Sequence, residues 1–405
     1  MLICVITNLI VTGQHMKAGK TGITYAMIQI LYWAAACLAI GYAAAFLQES
    51  GYSNSQLGIV LATGQVLGFF LSLLLSTGID KLNGKSRGFL MVLMPLSIAL
   101  SMLLIWLLRE NKLALGIAYV LCISLNTVFD ALLPKLFSDI LHAGTDMQFA
   151  FPRAAGSVSY GITGFIIGRT VSSVEILPLL AAITAFILCL FVFLLSRLIY
   201  HEETTSGAGD RPRPVSLAHF IRREKSFILL IIGCSLVLAV HGTVARYTFI
   251  IMQDIGGNVK TYSDLTAFIA FIELPVMILY GIIKKKPYPL LLKLSLLFFV
   301  VKLALTILAR NIPMFFFANA FQMISFALYT TVIVDYINSA IPYEDSAKAF
   351  SLMGSLTMVA TVILTAVSGA LFDRIAVRPV LLMLLIFSVL GAVLAFCGIK
   401  NRKKA

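Results

Sequence analysis

The chain has 405 residues, of which 60% are hydrophobic and only 12% charged, yet its net charge is +13. A mean hydropathy of +0.97 excludes a domain folded around one aqueous core, which needs a far more charged surface. The basic excess raises nucleic-acid binding, so the placement of those charges has to decide.

A helix that crosses the hydrocarbon needs about 20 mostly apolar residues, because lipid offers no partner to a free backbone group. Segments of that kind occupy 24–48, 56–77, 89–108, 113–138, 153–173, 176–199, 226–250, 264–283, 289–308, 312–338, 346–372 and 379–398. Before the first of them, residues 1–12 are apolar but too short to span, and they lack the leading basic residues of a signal peptide. Translation is therefore expected to start at Met16, leaving a short basic tail. Between the sixth and seventh segments runs the one long polar connection, which starts rich in Pro, Gly and Ser and ends in a basic amphipathic stretch, Leu217 to Lys225. The expected fold is all-α and integral to the membrane, with 12 transmembrane helices in two six-helix bundles. Its parts are an N-terminal tail (1–23), a first bundle (24–199), a central loop (200–225), a second bundle (226–398) and a basic tail (399–405).

With the N-terminus placed in the cytoplasm, nineteen Lys and Arg residues fall inside and seven outside. This bias follows the positive-inside rule, so both termini are expected in the cytoplasm of a multi-pass cell-membrane protein, and the basic excess reads as a topology signal rather than a nucleic-acid footprint. The six cysteines sit at unrelated spacings and five histidines are scattered. No metal-ligand pattern, cofactor motif or nucleophile constellation emerges, and no enzyme activity is expected.

Small residues mark close helix approach: Gly64 with Gly68, and Gly164 with Gly168, each share one helix face. Charges at membrane depth are costly and therefore point to sites. These are Asp130 in the fourth span, Arg153 opening the fifth, His241 and Arg246 in the seventh, Glu273 in the eighth, Lys302 in the ninth and Asp335 in the tenth. Lys135, Lys293 and Asp254 lie near span ends, where snorkelling to the interface accounts for them.

Several motifs resemble the major facilitator superfamily, in the branch that contains lactose permease, the nucleoside:proton symporters and the phenylpropionate permeases. The likeness runs from about residue 24 to 398. GYAAAFLQESGYSNSQLG is similar to that branch's exit from the first span. STGIDKLNGKSR resembles the superfamily's loop between spans two and three, with Ser76 in place of the first Gly and one extra residue between Asp80 and Gly84. That resemblance implies a conformational motif at Asp80, Lys81, Gly84 and Lys85.

RAAGSVSYG resembles the branch's opening of the fifth span. By that resemblance Arg153 binds substrate hydroxyls and pairs with Asp130, while Tyr160 stacks on a sugar ring. FIELP is similar to the Glu-hydrophobic-Pro signature, making Glu273 a shared substrate and proton residue. FQMISFALYTTVIVDYI resembles the tenth span and carries Gln322, Ser325 and Tyr329, with Gln322 and Ser325 standing where lactose permease has its His and Glu proton pair. Lys302 matches an Arg on the ninth span.

The resemblance implies a secondary active transporter that rocks two bundles around a midplane site. A small-molecule substrate would bind at Arg153, Tyr160, Asp130 and Gln322. A proton, with sodium as the other candidate, would couple through Glu273, Asp335, Lys302 and His241. A sugar or glycoside ranks first as substrate, followed by a nucleoside and by an aromatic or small carboxylate. A monomer suffices, since the two bundles enclose a pathway in one chain. A non-transporting membrane sensor is the remaining reading, and it would predict a soluble output domain.

Overall fold

A computed structural model describes residues 20–79, 82–142, 150–171, 173–200, 222–341 and 343–399. The expected Met16 start, Asp80, Lys81 and most of the amphipathic stretch after Leu217 lie outside these residues. Twelve helices account for the described chain: α1 (Lys20–Glu49), α2 (Asn54–Ile79), α3 (Gly84–Leu107), α4 (Lys112–His142), α5 (Ala150–Thr170), α6 (Leu177–Ile199), α7 (Lys225–Gln253), α8 (Val259–Ile283), α9 (Tyr288–Leu308), α10 (Ile312–Ala340), α11 (Tyr343–Phe372) and α12 (Val377–Gly398).

Eleven of these are long and apolar enough to cross a membrane; α5 is not among them. Its arginines, serines and four glycines make it less apolar than the other spans. Helix starts follow their caps. The Asn83 side chain accepts from Ser86 N–H at the start of α3, and Asn311 accepts from Met314 N–H at the start of α10. Asn258 and Thr261 form a reciprocal capping box that starts α8 five residues before its apolar run begins at 264. Two helices change pitch midway, α1 through a π-turn at Cys37–Gly41 and α10 through one at Met323–Ala327. Such turns often sit at functional positions.

The main pairings in the first six helices recur six helices later. α1 packs on α5 and α6 as α7 packs on α11 and α12. α2 packs on α4 as α8 does on α10, and α3 packs on α4 and α6 as α9 does on α10 and α12. The two halves meet through α2 with α11 and α5 with α8, which exchange into one another under the same shift. Small residues allow this closeness, since without a hydrophobic drive between helices packing must come from backbone approach. A Cβ at Gly164 would lie 2.9 Å from Thr266, one at Gly161 2.5 Å from Ala270, and one at Gly64 2.8 Å from Ile123.

With helix directions alternating, the start of α1, the end of α6, the start of α7 and the end of α12 share one end of the molecule, here the terminal end. Cross-half bonds gather at the opposite, far end. Arg169 of α5 meets Asp264 of α8 at 2.6 Å. The N–H groups of Asn54 and Ser55, at the start of α2, each donate at 2.8 Å to the carboxylate of Asp373, just past α11. The halves are therefore bonded to one another at the far end.

Asp373 places a negative charge on a helix N-terminus that belongs to the other half, an arrangement worth about 1 kcal/mol. Burial alone would raise its pKa; hydrogen bonds from Ser55, Ser53 and Asn54 outweigh that and hold the carboxyl below the usual carboxylate range. The bond is thus stronger with Asp373 ionised, and its stabilisation is lost as pH falls through the lowered value. Asp373→Asn is expected to weaken far-end closure at neutral pH and to abolish the acid dependence. The distance between spin labels at the exposed far-end residues Glu110 and Arg374, followed against pH, checks both effects.

Candidate functional site

The charged side chains at membrane depth converge between the halves. On the first-half side, α5 opens with Arg153, which donates from Nη1 to Ser157 Oγ at 2.9 Å, one turn along the helix. Its guanidinium carbon stands 4.2 Å above the ring of Trp33 on α1, a cation–π arrangement. The indole can sit there because residue 156 is glycine; a Cβ would collide with Trp33 Cδ1. Trp33 in turn donates from Nε1 to Gln29 Oε1 at 3.1 Å, Gln29 donates to the Tyr25 hydroxyl at 2.9 Å, and Tyr25 donates to the Leu133 carbonyl of α4 at 3.0 Å. This chain ties α1, α4 and α5 into one wall.

Tyr160 lies 6.3 Å from Trp33, ring to ring, and Tyr32 stands edge-on to both Trp33 and Phe129 at 5.4 Å. Asp130 follows Phe129 on α4 and is solvent-accessible. The expected direct pair with Arg153 does not form. Asp130 lies within electrostatic reach of Arg153, but Arg153 spends its fork on Ser157 and the Trp33 face. An accessible carboxylate and a stacked guanidinium are therefore both left with bonding capacity toward the space between the halves.

On the second-half side three helices meet in a buried chain. Lys302 of α9 donates from Nζ to Gln322 Oε1, and Gln322 donates from Nε2 to Glu273 Oε1 of α8 at 2.8 Å. All three are at most 8% exposed. Gln322 directly precedes the π-turn of α10. Its amide has one acceptor and one donor end, so it satisfies a cation and an anion at once without their touching. Glu273 also lies within electrostatic reach of Arg153 across the halves, and Lys302 and Arg246 both lie within reach of His241.

His241 packs against Phe299 and Phe326, with ring centroids at 5.2 and 4.9 Å. With Lys302, Thr306 and Ser388 it lines a cavity of about 20 Å³, room for one water. Arg246, farther along α7, donates to its own helix at the Gly242 carbonyl, 2.6 Å away.

Asp335 is not brought to this group. It accepts from the Tyr280 hydroxyl at 2.6 Å and sits thirteen residues beyond Gln322, roughly 20 Å along the helix toward the terminal end. A matching cluster stands on α4, where Asp139 accepts from Tyr200 at 2.6 Å and pairs with Arg87 at 3.6 Å and Lys135 at 3.8 Å. Lys135 thus has an ionic partner in addition to its place near a helix end. Gly84 and Lys85 open α3 beside this cluster. Sequence reading passed over Trp33, Gln29 and Asp139. Spacings of four, from Gln29 to Trp33 and from Lys135 to Asp139, were the available signal. Among the described residues no group of His, Cys, Asp and Glu could hold a metal ion.

The chain matches the model of the MFS_1 like family over residues 23–383. A protein of Deinococcus radiodurans described as a sugar efflux transporter is 26% identical over 147 residues, which span 36% of this chain and 38% of that relative. Among solved structures, the nucleoside transporter NupG superposes with a TM-score of 0.79 at 12% identity, covering 95% of this chain and 100% of that one. A bacterial homologue of the human lysosomal transporter Spinster, captured inward-facing and unoccupied, gives 0.67 at 13% identity over 93% and 95%. At these identities the structural likeness speaks for the fold alone.

Because Gln322 bridges a buried ammonium and a buried carboxylate, Gln322→Leu leaves both unanswered and is expected to cost about 3 kcal/mol. A lowered apparent melting temperature of the purified protein in detergent checks this.

Proposed function

Because the chain belongs to the MFS_1 like family, within the major facilitator superfamily of transporters, we propose that it is a proton-coupled secondary transporter of a sugar or glycoside that works by alternating access. The observation that carries this reading is the buried Lys302–Gln322–Glu273 chain facing Arg153 across the two halves. A carboxylate in that position changes the charge balance of the passage when it takes up a proton. It thereby links protonation to how the halves attract one another. Sodium is the other cation such a carboxylate could take.

Substrate binding is assigned to Arg153, Asp130, Tyr160 and Gln322, with Trp33 added from its contact with Arg153. A guanidinium fork and a carboxylate suit vicinal hydroxyls, and an aromatic face suits the apolar side of a pyranose. The name of the Deinococcus relative points to a sugar. The second reading is a nucleoside, supported by two aromatic rings within stacking reach and by the fold shared with NupG. Of the sequence-stated proton residues, Glu273 and Lys302 belong to the central chain and His241 lines the adjoining cavity. Asp335 is assigned to the terminal-end cluster instead.

The terminal end is assigned to the cytoplasm by its basic excess, so the bonded far end is assigned to the outer side. The protein is placed in the cell membrane as a monomer, with boundaries at 24–199 and 226–398 for the two bundles.

Glu273→Gln in proteoliposomes is expected to abolish uphill uptake driven by a proton gradient while leaving substrate exchange; uphill uptake at the native rate would remove Glu273 from the coupling role. A thermal-shift screen with sugars, glycosides, nucleosides and aromatic acids names the substrate class, since a ligand at a hundredfold its Kd stabilises the folded state by about 2.7 kcal/mol. The shift is expected to disappear in Arg153→Ala and Tyr160→Ala; a shift that persists in both places the site elsewhere.

A further inference from the structure

The π-turn of α1 ends at Gly41, and the backbone there is held from two directions. From the other half, Tyr262 of α8 donates to the Gly41 carbonyl at 2.7 Å. Its neighbour Ser263 shares a 2.6 Å hydrogen bond with Tyr42, whose ring stands edge-on to Tyr262 at 5.4 Å. From the first half, the hydroxyl of Tyr160 occupies the space where a side chain on residue 41 would begin, 2.6 Å from an ideal Cβ. Gly41 is therefore the point where an aromatic of the central wall touches the strut that closes the far end.

A π-turn is a place where helical hydrogen bonding is already out of step, so its carbonyls move at lower cost than those of a regular helix. The Gly41 carbonyl has to sit in one place for Tyr262 to reach it from across the interface. The ring of Tyr160 limits that place by direct contact. We propose that Gly41, Tyr160 and Tyr262 form a joint in which the position of the Tyr160 ring sets whether the far end is closed. A solute that turns the Tyr160 ring moves the carbonyl that Tyr262 needs. This extends the reading of Tyr160 as a binding residue, and the joint itself is tested without any solute.

Spin labels at Glu110, on the exposed far-end loop of the first half, and Arg374, on that of the second, report the far-end gap in proteoliposomes by electron–electron distance measurement, with Cys397 replaced by serine. Tyr262→Phe removes one hydroxyl and is expected to shift the ratio of short to long distances about fivefold toward long. Gly41→Ala, which drives a methyl group into the Tyr160 hydroxyl, is expected to shift it at least as far.

The deciding measurement is the double variant. In Gly41→Ala with Tyr160→Phe the clashing oxygen is gone and the nearest ring atom stands 3.4 Å from the new methyl, so the short distance should return. A Gly41→Ala protein that stays closed, or a double variant that stays open, overturns the joint. Should Gly41→Ala not accumulate, an unchanged distance in Tyr262→Phe overturns it and the expected shift upholds it. Loss of Tyr160 dependence in the thermal-shift screen, with the distances behaving as expected, would refute the binding role and leave the joint standing.

Discussion

The structure depends on one constraint: a polar group carried to membrane depth has to be answered there, because lipid will not do it. The chain meets this with an amide rather than a direct ion pair. Gln322 stands between Lys302 and Glu273 and gives each the partner its charge requires. A direct bridge would tie α8 to α9 with both charges consumed. The amide keeps them apart, so the carboxylate can change protonation while the ammonium stays bonded. On the facing wall Arg153 is held by a ring face and a hydroxyl instead of a carboxylate, which leaves Asp130 open to the passage. Both walls are thus satisfied yet uncommitted toward the space between them.

The same constraint orders the interface between the halves. Inside each half glycines also bring helices together, Gly64 against Ile123 and Gly233 against Ala395. Between the halves the contact runs through glycines, alanines and short hydroxyl residues along α5 and α8. The bonds that fix the interface are few and polar, at Arg169 with Asp264, Tyr42 with Ser263, Tyr262 with Gly41 and Asp373 with α2. A handful of bonds each worth about 1 kcal/mol makes a closure that is definite but reversible.

Most of the fold was legible in the sequence because spans announce themselves by apolarity, and the halves by the long polar loop between them. α5 was the exception. Its arginines and glycines lower its apolarity below that of its neighbours, so it was the weakest of the twelve spans to read by apolarity. The site was legible as a set of residues but not as a set of bonds. Glu273 and Lys302 stood out because each interrupts an apolar run, yet the amide that joins them comes from a third helix. Asp335 carried the same signal as Glu273 and proved to sit about 20 Å along its helix from the centre. Sequence shows that a charge is at depth; it does not show at which depth it acts. Trp33 went unremarked because an aromatic on an apolar helix looks like any core residue until a cation is found on its face.

The low apolarity of α5 also bears on how the protein is made. A segment with arginines near both ends and glycine along its length partitions poorly into lipid by itself. Its glycine face is covered by α8, which the ribosome delivers about ninety residues later. Among helices made before it, α5 packs on α1, and it has to be retained by its neighbours rather than by the bilayer. The surface that joins the finished halves is, in the nascent chain, the span whose insertion depends most on company.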